Sequence, residues 1–88
     1  MTQEMQVSVI LPTYNERGNI IPLIEQIERH VAALHEIIVV DDHSPDGTWQ
    51  VVGERAANDC KVRLIDRTTE RGLTSALNRG IAEARGNV

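Results

Sequence analysis

Aromatic residues are almost missing from this chain of 88 residues: one Trp, one Tyr and no Phe, 2% in all. Its core must therefore be built from Ile, Val, Leu and Ala. Cysteine is nearly absent too. The single Cys60 excludes an internal disulfide framework and fits a reducing compartment, most simply the cytoplasm; it reads as a small apolar filler on a helix. No apolar run reaches the roughly 18 residues of a membrane span. The opening MTQEMQ has neither the basic start nor the apolar stretch of a signal peptide. An excess of positive charge is lacking as well. The formal net charge is −4, and a binder of phosphate backbones needs a basic face, so nucleic acid is not expected as a partner. Finally, neither GxGxxG nor GxxxxGK[ST] occurs, so a bound nucleotide would not be held as in a dehydrogenase or a P-loop enzyme.

What is present is a regular alternation. VSVIL at 7–11 is short, apolar and β-branched, the pattern of a buried strand, and Pro12 is expected to end it. From Asn19 the spacing changes: Ile20, Ile24, Ile27, Val31 and Leu34 recur as one face of a helix. Asn19 is its expected N-cap, and Pro22 is expected to fall in its first turn. EIIVVD at 36–41 is a second strand, apolar enough to be covered on both faces of a parallel sheet. Asp42 to Gly47 is turn chemistry, and Thr48 is the expected cap of a second helix with Trp49, Val52, Ala56 and Cys60 inward. VRLID at 62–66 is a third strand. A third helix is expected from about Leu73 to Ala84 with Leu77, Ile81 and Ala84 inward, closed by Gly86. The order β-α-β-α-β-α implies an α/β, Rossmann-like domain with a parallel sheet over residues 1–88. Asn87-Val88 resembles the start of a fourth strand, so the chain reads as a truncated domain.

In open parallel sheets, ligands bind beyond the carboxyl ends of the strands. Three polar clusters fall there: Pro12-Thr13-Tyr14-Asn15-Glu16, Asp41-Asp42-His43-Ser44, and Asp66 to Gly72 with Arg67 and Arg71. Each has a plain structural reading beside a functional one. Tyr14 is a loop aromatic or a ring that stacks on a planar base. Asn15 and Glu16 start a helix or line a ligand pocket. Asp41, Asp42 and Asp46 are turn and cap residues or ligand acceptors. Arg67 and Arg71 are solvated charges or the neutralising partners of a diphosphate. His43 beside two Asp is weak support for a metal, and His30 and His35 are expected at the surface.

The segments VSVILPTYNERGNI, EIIVVDDHSPDGT and RGLTSALNRGIAEARGN, in this order and spacing, resemble the N-terminal half of family 2 inverting glycosyltransferases with the GT-A fold. The SPDGT turn favours the dolichyl-phosphate mannose synthase and polyprenyl-phosphate glycosyltransferase branch. The resemblance covers Val7 to Val88. It implies that Pro12, Thr13, Tyr14, Asn15 and Glu16 line the base and ribose pocket, that Asp42 hydrogen-bonds the base or ribose with Asp41 in support, and that Arg71 and Gly72 lie near the base and diphosphate. It implies a nucleotide sugar donor, GDP-mannose first and UDP-glucose second, and a polyprenyl phosphate acceptor bound outside this region. It also implies Mg2+ or Mn2+ in the full-length enzyme, with none bound by these residues alone, and a location in the cytoplasm or at the cytoplasmic face of a membrane. Two departures stand out. Thr74 replaces the second Gly of a GxG-like run, and the Asp-x-Asp metal motif and the catalytic base of the family are not in the sequence. These residues alone are therefore expected to be inactive, and VSVIL, left as a bare edge, is expected to drive self-association.

Two other readings remain. IVVDDHS is similar to the acid pair of phosphoacceptor receiver domains, though that pair ends a first strand and a strand-end Lys is missing. A non-catalytic nucleotide-binding or structural fragment is the other.

Overall fold

The computed structural model describes residues 4–88, so the first half of MTQEMQ lies outside the described residues. Three strands and three helices alternate: β1 (Val7–Thr13), α1 (Arg17–His30), β2 (Leu34–Asp41), α2 (Thr48–Asn58), β3 (Val62–Asp66) and α3 (Leu73–Glu83). The strands form one parallel sheet in the order β1-β2-β3. The register sets Thr13 beside Asp41 and Asp41 beside Asp66, so the three strands end level with one another. That alignment brings the three polar loops to one rim. The Rossmann-like α/β class read from the sequence is the class observed.

β2 lies in the middle, and its Ile37, Ile38, Val39 and Val40 are fully buried. Side chains alternate across a strand. Ile37 and Val39 therefore join Ile20 and Ile24 of α1 and Val52 of α2 in one cluster, while Ile38 and Val40 meet Ala76 of α3 on the other face. Each such buried Ile or Val contributes about 1.5–3 kcal/mol.

Four details differ from expectation. Pro12 does not end β1; it pairs in register with Val40 inside the strand. A residue with no N–H is tolerated on an edge strand, where that position faces outward. α1 begins at Arg17 rather than after an Asn19 cap, Leu34 belongs to β2, and Pro22 is in the second turn. Pro22 and Gly18 are both exposed, so the carbonyl that Pro22 leaves unpaired faces water. Cys60 is exposed beyond the end of α2 rather than packed on it. On α3 the inward positions are Ala76 and Gly80, and Ile81 is 64% exposed. The reason is a close approach: a methyl group at Gly80 would collide with the Ile10 side chain, so the helix lies on the sheet along its smallest residues.

The outer edge of β1 is partly covered. Ser8 N–H donates to Val88 O (3.0 Å), and Asn87 N–H donates to Gln6 O (2.8 Å). The residues after Gly86 therefore run along Gln6–Ser8, although Asn87-Val88 do not form a strand. A buried carboxylate anchors them. Glu36, 3% exposed, accepts from Ser8 Oγ (2.7 Å), Arg63 Nη1 (2.8 Å) and Arg85 N–H (2.5 Å).

Candidate functional site

At the carboxyl end of β1 and β2 lies a cleft of about 370 Å3 lined by Pro12, Thr13, Tyr14, Asp42, Arg71, Gly72, Leu73 and Ala76. Six of the nine residues singled out from the sequence are on this lining. Its walls are mainly apolar, and Tyr14 is 50% and Leu73 66% exposed. Arg71 is exposed and forms no ion pair among the described residues. The cleft thus offers a ring, one acidic side chain and one uncommitted cation.

The other three do not line it. Asp41 lies beneath, with no exposed surface. Its Oδ1 accepts from Thr13 Oγ1 (2.6 Å) and Ser44 Oγ (2.7 Å), and its Oδ2 accepts from Ser44 N–H (2.8 Å). Asn15 is exposed, with a left-handed backbone (φ 57°). Glu16 borders an adjoining groove with Leu11, Pro12, Thr13, Asn19, Ile20 and Leu23.

Asp42 and Arg67 form the structural centre of the rim. Arg67, read from sequence as either a solvated charge or a diphosphate partner, is 4% exposed and fully engaged. Its Nε donates to Asp42 Oδ1 (2.7 Å), its Nη1 to Ser75 Oγ (3.0 Å) and its Nη2 to Gly72 O (3.1 Å). Gly72 N–H donates to the other oxygen of Asp42 (3.0 Å). The Arg67 hydrogen bond and the Gly72 amide outweigh the cost of partial burial and hold the Asp42 carboxyl below its usual range, helped by the charges of Arg67 and Arg71. Each carboxylate oxygen has two acceptor sites, so Asp42 can still take a donor from the cleft. Gly72 itself has φ 110°, a conformation that suits Gly. Thr74, by contrast, is the second residue of α3 and has no positive φ, so the missing second Gly costs nothing here.

His43 sits outside the cleft. Its ring stacks on Trp49 at a centroid distance of 4.7 Å, and its Nδ1 lies 2.9 Å from Asp66 Oδ1. Among the described residues no three His, Cys, Asp or Glu side chains gather as a metal site. Asp42 is the one carboxylate on the cleft lining, and Arg67 already occupies it. The donor set does not fit a divalent ion, and the chemistry available here is stacking, hydrogen bonding and one cation.

The signal that sequence reasoning missed is Ser44. It is 1% exposed and joins Asp41 to the first loop, because Asn15 N–H donates to its Oγ (2.9 Å). Its place two residues beyond an acid pair was the available clue.

Comparisons with known proteins bear on the fold and the family. The dolichol-phosphate mannosyltransferase of Pyrococcus furiosus is 49% identical over 85 residues, which cover 96% of this chain and 24% of that protein. The mannosyltransferase PcManGT from Pyrobaculum calidifontis, solved with GDP-Man and Mn2+, superposes with a TM-score of 0.80 at 34% identity, over 97% of this chain and 26% of that one. The mannosyl-3-phosphoglycerate synthase of Rubrobacter xylanophilus gives a TM-score of 0.62 at 28% identity, over 94% and 28%. The chain thus spans about a quarter of the length of these proteins. No helix among the described residues is long and apolar enough to cross a membrane. The profile of the family described as "Glycosyl transferase family 2" matches residues 8–88. With that match running from β1 to the last residue, the chain belongs to glycosyltransferase family 2.

Proposed function

We propose that the cleft receives the nucleoside diphosphate of a sugar donor, and that the chain is the donor-binding part of an enzyme that moves mannose from GDP-mannose to a polyprenyl phosphate. The observation that carries this reading is the cleft lining: an exposed ring, Tyr14, an ionised acceptor, Asp42, and an unpaired cation, Arg71, around about 370 Å3 of largely apolar space. Tyr14 stacks on the base. Asp42 accepts a hydrogen bond from a base N–H or a ribose hydroxyl, and Arg71 faces the diphosphate. Pro12, Thr13 and Gly72 shape the wall, Asp41 supports it from beneath, and Asn15 and Glu16 flank it in the first loop.

The mannose donor is supported by the names of the relatives and by the GDP-Man complex of PcManGT. Nothing in the comparisons points to UDP-glucose. The same complex supports a divalent ion in the whole enzyme. No three potential metal-ligating side chains gather among the described residues, so the role proposed for them is donor binding. The receiver reading loses its basis, because no Lys ends a later strand among the described residues and both acids of the pair are taken up by structural partners, Asp41 by Thr13 and Ser44 and Asp42 by Arg67.

Saturation-transfer NMR with GDP, UDP and GMP tests the reading. Signal for GDP, weaker signal for GMP and little for UDP is the expected result. Equal signal for all three, or none with a folded chain, refutes it.

A further inference from the structure

The SPDGT turn between β2 and α2 makes no contact with the cleft, yet it captures the loop that carries Tyr14. Three consecutive backbone amides of that loop donate to three side chains of the turn. Asn15 N–H reaches Ser44 Oγ (2.9 Å), Glu16 N–H reaches Thr48 Oγ1 (3.0 Å) and Arg17 N–H reaches Asp46 Oδ2 (3.1 Å). The two hydroxyls are not free to turn away. Ser44 gives its proton to Asp41 Oδ1 (2.7 Å) and Thr48 gives its proton to Asp46 Oδ1 (2.5 Å), which leaves each oxygen's lone pairs facing the loop amide. Ser44 and Thr48 are almost fully buried, at 1% and 0% exposure. α1 has no side-chain N-cap of its own, so these contacts replace one. They also hold Asn15 at φ 57°, a conformation that costs energy in any residue but Gly and lasts only where its surroundings impose it.

We infer that Ser44, Asp46 and Thr48 are positioning residues for the donor cleft: through the amides of residues 15–17 they fix the backbone that presents Tyr14. The inference rests on the donor reading for its functional half. Its structural half, a fixed Tyr14, stands or falls separately. A turn that only closed α2 would need Asp46 and Thr48 but no partner in another loop. Here every one of the three side chains bonds across to the first loop.

The test uses the whole chain with Thr48→Val, Ser44→Ala and Thr48→Ser. Thr48→Val keeps the shape and removes the acceptor; Thr48→Ser restores it. Three readings are taken on each: the melting curve, amide exchange and Tyr14 ring NMR signals, and GDP affinity. The expected result is that Thr48→Val, still folded, loses exchange protection at Glu16 and shifts or broadens the Tyr14 signals. GDP binding weakens about fivefold, the equivalent of one lost hydrogen bond. Thr48→Ser recovers all three. If Thr48→Val unfolds the chain, Ser44→Ala serves as the second variant, read at Asn15. Unchanged Tyr14 signals in folded variants overturn the inference whatever GDP does. A fixed Tyr14 in an unaltered chain that binds no GDP overturns the donor reading and leaves the positioning of Tyr14 standing.

Discussion

Asp41 and Asp42 lie side by side at the end of a buried strand, and each is compensated by a different set of donors. Asp41 takes two hydroxyls and one amide; Asp42 takes a guanidinium and one amide. The acid pair and its place at the strand end were legible in the sequence. The partners were not, because Thr13, Arg67 and Gly72 are 25 to 30 residues away along the chain. Arg67 was misread for the same reason: a loop Arg looks free until the loop is closed around it. Arg67→Ala should cost about 3–5 kcal/mol in chemical denaturation, since it strips the charge partner from a mostly buried Asp42. Arg67→Lys should not restore the loss, because three separate nitrogens serve three partners. Glu36 gives a pH signature. Burial pushes its pKa up, but the Arg85 amide, Arg63 and Ser8 together pull it from 4.5 to about 2. A carboxylate with a depressed folded-state pKa stabilises the fold above its unfolded pKa and loses that contribution as pH falls through the folded one. Stability should therefore decline from about pH 4.5 down to about pH 2, by about 3 kcal/mol in total for this group. Melting curves of Glu36→Gln should be lower at neutral pH and flatter across that window.

The elements themselves were read correctly in number, type and order, because the switch from strand to helix periodicity is local. Their ends were read less well. Pro12 was taken as a terminator, yet the edge position of β1 leaves its missing N–H without consequence. The inward face of α3 was taken as Leu77, Ile81 and Ala84; Ala84 does pack on the inner cluster, but the close fit of Gly80 on Ile10 turns the helix so that Ile81 faces out. Two substitutions of the same kind should therefore act in opposite directions. Gly18→Ala, with open space around it in α1, should stabilise the chain by about 0.5–1 kcal/mol. Gly80→Ala should destabilise it by about 1–3 kcal/mol despite its better helix propensity, because Ile10 and Val40 must move. Thermal unfolding of both variants checks the pair, and the same sign for both would contradict the packing described for α3.

For the whole molecule, the level ends of the three strands matter most, because they bring loops from three parts of the chain to one cleft. The convergence was expected from the parallel order alone; the cleft walls needed the packing of α3. The outer edge of β1 is less bare than VSVIL suggested. Asn87 and Val88 pair along Gln6–Ser8, and Pro12 offers no donor, so the free stretch centres on Ile10. Leu23 (45% exposed) and Ile81 (64%) flank it on the two faces. We expect weak, concentration-dependent association through that edge. Sedimentation should show it, and Leu23→Lys with Ile81→Lys should abolish it; a monomer at all concentrations counts against it. The central claim is that the cleft binds the donor nucleotide. The most direct measurement is a chemical-shift map of the isotopically labelled chain titrated with GDP. Shifts confined to Thr13, Tyr14, Asp42, Arg71, Gly72 and Leu73 are predicted. Shifts centred elsewhere, such as at His43 and Trp49, or none in a folded chain, would contradict it.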